Sequence, residues 1–167
     1  MVPQFGEGFS GEGANAAHIN TVFGRRDGPV GQSWASTLAS PSPGHTPFVV
    51  VAQPGLPVVP FTLFVNKATI AGDRHARLTW GAAQAGVAAG VLDAHLDDPD
   101  GLQCLIAAVW VDPAADDEEA LFANNRTATL AALNMGAAGG PWIGHLREIK
   151  TPSNPYYSPP VPHPFAT

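Results

Sequence analysis

Two short runs in the first half of the chain place polar and ionisable side chains on a strand face that otherwise reads as apolar. In the first, Ala16-Ala17-His18-Ile19-Asn20-Thr21-Val22-Phe23, the flanking glycines bound a strand. Alternation puts His18, Asn20 and Val22 on one side and Ala17, Ile19, Thr21 and Phe23 on the other. A single histidine in a strand is ordinarily a satisfied structural group, but Asn20 on the same face would be a second polar group needing a partner. The second run, Thr62 to Ile70, is rich in apolar and β-branched residues and follows Pro60. There Leu63, Val65, Lys67 and Thr69 share one face, while Phe64, Asn66, Ala68 and Ile70 share the other. An unpartnered ammonium costs several kcal/mol to bury, on the order of the effective penalty for one ion. Lys67 therefore either snorkels to water at the strand end or faces a cleft, a carboxylate or a ligand.

The remaining pattern supplies the scaffold. Gly6, Gly8, Gly11 and Gly13 predict an N-terminal loop or a short irregular strand. Pro29 opens a helix to about Ala39 with Val30, Trp34 and Leu38 as its stripe, and Ser40 to Gly44 stops it. Phe48 to Ala52 reads as a buried strand, joined through Pro54 to Pro57 to the Lys67 strand as a hairpin. Gly72 to Thr79 reads as a polar connection and Ala82 to Leu96 as a helix with Ala83, Val87, Val91 and Ala94 on one face. Gly86 and Gly90 weaken that helix by about 1 kcal/mol each relative to alanine, which predicts a close approach by something. Gln84 falls in its first turn, either exposed and inert or placed to meet a polar ligand at the free N–H groups.

Asp97 to Gly101 is a turn, Leu102 to Val111 a buried strand, and Ala115 to Asn134 an amphipathic helix. The carboxylates of Asp116, Asp117, Glu118 and Glu119 fit a solvated helix start better than a metal site. Trp142 to Ile149 reads as a last strand. The order implies an α+β fold, one mixed sheet layered with helices, in a single domain over 1–150 with a Pro-rich tail over 151–167 packing on the body or a neighbour.

Composition narrows the chemistry. A net charge of −6 and a pI near 5.3 argue against nucleic acid or an anionic membrane as partner. One cysteine, Cys104, excludes a disulfide framework and lies in an apolar run, where a buried inert thiol is expected. The chain opens without a secretory pattern, so a cytoplasmic location is expected, and the Asn125-Arg126-Thr127 sequon carries no weight. The scattered histidines give no zinc spacing, and there is no Walker loop, dinucleotide fingerprint or GxSxG elbow. What remains is His18 as a proton donor or acceptor, Lys67 as an anion binder or Schiff-base former, and the polar neighbours Asn20, Thr69 and Gln84.

The strings GEGANAAHIN, PFTLFVNKATI and LTWGAAQAGVAAGVLDA, with a terminal HPF, resemble the formaldehyde-activating enzyme family over nearly the whole chain. The resemblance implies condensation of formaldehyde with tetrahydromethanopterin, a co-substrate, to the methylene derivative and water, without a metal. It implies a layered fold similar to the second domain of ribosomal protein S5, and homopentamers with pterin clefts between subunits. It places the family's proton-donating histidine on His18 and its pterin contacts on Val49 (or its neighbour Phe48), Lys67, Thr69 and Gln84. The family's acidic residue two after the histidine falls on Asn20, which departs from the pattern, and Val58 to Pro60 lacks a basic residue common there. An amide neither accepts a proton nor stabilises an imidazolium as a carboxylate does, so a non-catalytic or altered-specificity paralogue that binds formaldehyde, a pterin or a related small ligand is the alternative.

Overall fold

A computed structural model describes residues 1–139, 142–154 and 156–158. Its sheet has five strands in the order β1-β2-β7-β6-β3: β1 is Gln4–Ser10, β2 Ala17–Arg25, β3 Pro47–Val49, β6 Phe61–Asn66 and β7 Gln103–Trp110. The small hairpin of β4 (Val51–Gln53) and β5 (Leu56–Pro57) stands beside it. All neighbours are antiparallel except β6 and β7, which are parallel and joined by a helical crossover. The helices are α1 (Pro29–Ala39), α2 (Gly72–Leu78), α3 (Gln84–Asp93), α4 (Glu118–Ala137) and α5 (Trp142–Leu146). This is an α+β architecture with a mixed sheet.

Three elements differ from the pattern in the sequence. The glycine-rich N-terminus, expected as a loop or a short irregular strand, is a regular seven-residue strand over Gln4–Ser10. The polar stretch from Gly72 is α2, which continues through one widened turn at Thr79–Ala83 into α3. Buried His75 explains why a polar segment is helical here. Its Nδ1 accepts the Ala71 N–H at 3.0 Å, and its Nε2 lies 3.0 Å from the Val111 carbonyl, tying α2 to the end of β7. Third, Trp142–Leu146 is a short helix rather than a strand. The terminal HPF string and most of the tail's prolines lie outside the described residues.

Helices α3 and α4 cover one face of the sheet. Between them lie Ile19, Phe64, Leu105, Ala107, Val109, Val87, Val91 and Leu121, all buried. Glycine sets the spacing: a Cβ on Gly6 or Gly8 of β1 would stand 1.8 or 2.0 Å from the carbonyl oxygens of Ala132 or Ala128 on α4. Gly86 and Gly90 do the same for α3, where a Cβ would meet the Phe122 carbonyl oxygen at 2.5 Å and the Thr129 Cβ at 2.6 Å. The partner that these two glycines predicted is α4. Asp117 caps α4 by accepting the Ala120 N–H at 3.0 Å, so the acidic run is a helix start. Asn125 of the sequon is buried in the α3–α4 seam and donates to the Leu121 carbonyl.

The opposite face is only half covered. Val30 of α1 packs over Gly24 and Trp34 is half-buried, while Leu38 is exposed, so α1 shields one end of the sheet. At the other end Phe5, Glu7, Phe9, His18, Asn20, Ala108 and Trp110 remain partly or wholly accessible.

Replacing Gly8 by alanine drives a methyl group into helix backbone that cannot yield locally. Gly8→Ala is expected to destabilise the fold by about 1–3 kcal/mol or more, the range for overpacking. Gly81→Ala, with nothing within 4 Å, is expected to be neutral or mildly stabilising. Urea unfolding of the two variants checks the contrast, and equal stabilities would refute the close-approach argument.

Candidate active site

Sheet register gathers the site. On β2, His18 stands between Phe9 of β1 and Trp110 of β7, and Asn20 between Glu7 and Ala108. All point to the half-open face, because Ala17, Ile19 and Thr21 are buried against the helices. Strand β6 stops at Asn66, whose buried side chain engages both backbone groups of Ala68 and so fixes the turn. The Lys67 N–H still bonds the Val109 carbonyl at 2.9 Å, which places Lys67 beside Trp110. From there its ammonium donates to the Asn20 side-chain oxygen, across Ala108, which offers only a methyl group between them.

Glu7 completes the group: one carboxylate oxygen lies 2.9 Å from His18 Nε2. The imidazole is flanked by Phe9, with ring centroids 6.3 Å apart, and by Tyr156, at 6.4 Å. Phe9 and Tyr156 meet edge to face at 6.0 Å. His18, Lys67, Trp110, Asp112 and Tyr156 line an open cleft of about 380 Å³. A second hollow of about 550 Å³ shares Asp112 and Tyr156 and continues along Gly11 to Gly13. Half-burial pulls the Lys67 amine below its usual range, and the negative charge of Glu7 opposes that shift. Burial raises the Tyr156 phenol, and Asp112 adds to the effect. The arrangement offers a proton donor beside a carboxylate, a cationic hydrogen-bond donor, and aromatic walls for a flat ring.

Of the six residues singled out from the sequence, the structure brings His18, Asn20 and Lys67 together. The others stand apart. Val49 lies three strands and four residues from His18, roughly 20 Å by strand geometry. Its alternative, Phe48, stacks on buried Phe64 at 4.6 Å and belongs to the core. Thr69 lies past the end of the strand, so alternation does not govern it; it is exposed, with its hydroxyl beside Gly44. Gln84 is not in a first turn, since the helix begins twelve residues earlier at Gly72. Its side-chain oxygen accepts the Val51 N–H at 2.8 Å, anchoring β4 to α3, and it lines a groove with Trp80, Leu92 and Phe122.

Glu7, Phe9, Trp110, Asp112 and Tyr156 escaped the sequence reading. The signal for Glu7 was present: read as a strand, Gly6-Glu7-Gly8 puts the glycines on one face and the acid on the other. Trp110 is the last residue of β7 and Asp112 lies two residues beyond it, at the polar end of a strand legible in the sequence. Cys104 is buried, and its thiol is pushed up by that burial, as an inert thiol would be. Among the described residues no group of three His, Cys, Asp or Glu is placed to hold a metal ion, and no helix is long and apolar enough to cross a membrane.

The family model for formaldehyde-activating enzyme (Fae) matches residues 5–157. The chain is 34% identical over 167 residues to the 5,6,7,8-tetrahydromethanopterin hydro-lyase of Methanosarcina barkeri, covering 96% of this chain and 89% of that protein. It is also 35% identical to the bifunctional enzyme Fae/Hps of the same organism over 87% of this chain. A Fae/Hps of Methanococcoides burtonii is 37% identical over 83% of it. The chain spans only 38% and 36% of the length of those two bifunctional relatives. The match takes in the strand that carries His18, the turn that carries Lys67 and the glycine-bearing helices behind them, and on it the chain belongs to the formaldehyde-activating enzyme family.

Proposed function

We propose that this protein condenses formaldehyde with tetrahydromethanopterin to the methylene derivative and water, a hydro-lyase reaction. The observation that carries the reading is His18, set beside a carboxylate and Lys67 in an open, aromatic-walled cleft of a member of this family. Formaldehyde and a secondary amine form a carbinolamine unaided, and expelling hydroxide from it is the harder step. The imidazolium of His18 donates a proton as that hydroxyl leaves as water, through the ring nitrogen that Glu7 does not engage. Trp110 and Tyr156 hold the flat pterin, which converts a bimolecular encounter into a positioned one. Lys67 binds an acceptor on the pterin or its arm. No step uses a metal.

Val49 and Gln84 lie away from the His18 cleft, Val49 roughly 20 Å off along the sheet and Gln84 in the groove beside β4. That separation supports a homo-oligomer, read as a homopentamer, in which a neighbouring subunit brings them to the cleft. Two departures favour the second reading, a binder of formaldehyde or a pterin without turnover: Asn20, an amide where the resemblance places an acid, and Val58 to Pro60, which lacks the basic residue the resemblance places there.

Stopped-flow measurement of methylene-pterin formation separates the two. His18→Ala is expected to lose about 10²-fold or more, the ordinary contribution of a general acid, and to fall to the spontaneous rate while pterin still binds. A wild-type rate no faster than the spontaneous one sinks the enzyme reading. Light scattering at micromolar concentration is expected to give a mass near five chains, and a stable monomer removes the shared cleft. Lys67→Met is expected to raise the KM for pterin without lowering thermal stability. Burial disfavours the charged amine, so its folded pKa lies below 10.5 and the cost is fully present at neutral pH. Any increase in Tm in Lys67→Met should therefore shrink as the pH rises through the folded value. An unchanged KM would remove Lys67 from the binding site.

A further inference from the structure

His18 and Lys67 are two potential cations lining one cleft, and Asn20, two residues from His18 on the same strand face and the acceptor for the Lys67 ammonium, is neutral. Two positive charges in a half-buried site disfavour each other, so a general acid here needs a counter-charge from elsewhere. Two carboxylates are near. Asp112 lines the cleft, but one of its oxygens accepts the Ala114 N–H at 2.8 Å, which engages it with its own turn. Glu7 is different: it sits directly across from Asn20 in the β1–β2 register, with an oxygen 2.9 Å from His18 Nε2, and its charge also acts on Lys67.

Building on the proposed condensation, we infer that Glu7 is a positioning residue that fixes the orientation of the His18 ring, supplying from the neighbouring strand the carboxylate that position 20 lacks. The fold keeps it in place. Gly6 and Gly8, on either side of Glu7, are pressed against the α4 backbone, so a slip of β1 by one residue would turn Glu7 into the helix. The Glu7 N–H lies 3.2 Å from Met135 Sδ of α4 on the free edge of the strand. A structural role does not account for the pair. With side chains 28% and 46% exposed, such an ion pair contributes about 0–1 kcal/mol to stability. The other groups around the imidazole, Phe9, Trp110 and Tyr156, bring no negative charge near neutral pH.

The test compares wild type, Glu7→Gln, Glu7→Asp and the double variant Glu7→Gln/Asn20→Asp in steady-state kinetics of methylene-pterin formation, with the His18 ring proton resonance, identified by its loss in His18→Ala, followed by NMR without substrate. Glu7→Gln is expected to displace that resonance and to lower kcat about tenfold while the KM for pterin stays put. Glu7→Asp should fall between it and wild type. The double variant, which moves the carboxylate to position 20, should recover most of the lost kcat, and Tm should change little in any of them. A resonance and a kcat that stay put in Glu7→Gln overturn the inference. If the resonance moves while no variant, wild type included, exceeds the spontaneous rate, the Glu7–His18 pairing stands and only the proposed condensation fails.

Discussion

The closeness of α4 to the sheet is the constraint on which the rest of the structure depends. Glycine at positions 6 and 8 lets helix carbonyls approach β1 to a distance that any side chain would block, and Gly86 and Gly90 do the same between α3 and α4. Small residues such as Ala107, Ala128 and Ala132 line this layer beside the larger Ile19, Phe64, Leu105 and Leu121. With one face so tightly closed, register is not free to slip, and every odd or even position on β1, β2 and β7 has its side fixed. His18, Asn20 and Glu7 are delivered to the other face by that constraint rather than by contacts of their own.

The same face shows how charge is balanced where few charges are available. Only 13% of residues are charged, yet the cleft collects Glu7, Lys67 and Asp112 around an imidazole. Lys67 donates to an amide instead of a carboxylate, which leaves its desolvation only partly offset and lowers its proton affinity. A cation held this way is available to a ligand acceptor, because an amide is a weaker competitor for it than a carboxylate would be. The aromatic neighbours add flat apolar surface without adding charge, which suits a heteroaromatic ring bearing polar edges.

How much of this was legible depends on whether the information was local. The β2 run was read with its faces correct, because alternation over eight residues is a local property and helices bury one side of it. The Pro29 helix and the β7 strand were legible for similar reasons, with proline and turn residues as punctuation. The glycines of α3 announced a close neighbour without naming it. By contrast Gly6-Glu7-Gly8 reads locally as a loop, since glycine weakens strands, and only the helix behind it makes an extended conformation the stable one. Gly72 to Thr79 was missed for a related reason: its helix is held by His75, whose partner on Val111 is 36 residues away.

The site divides along the same line. Sequence by itself determined which groups could do chemistry, His18 and Lys67, and through motif likeness the family. Tertiary structure decided what those groups meet. It put Asn20 under Lys67 and Glu7 beside His18, and it set Val49, Thr69 and Gln84 on other parts of the chain's surface. The physical reason is range. Side-chain period and residue chemistry are set within a few neighbours along the chain, whereas the partners of His18 and Lys67 are set by cross-strand register between segments 11 and 47 residues apart.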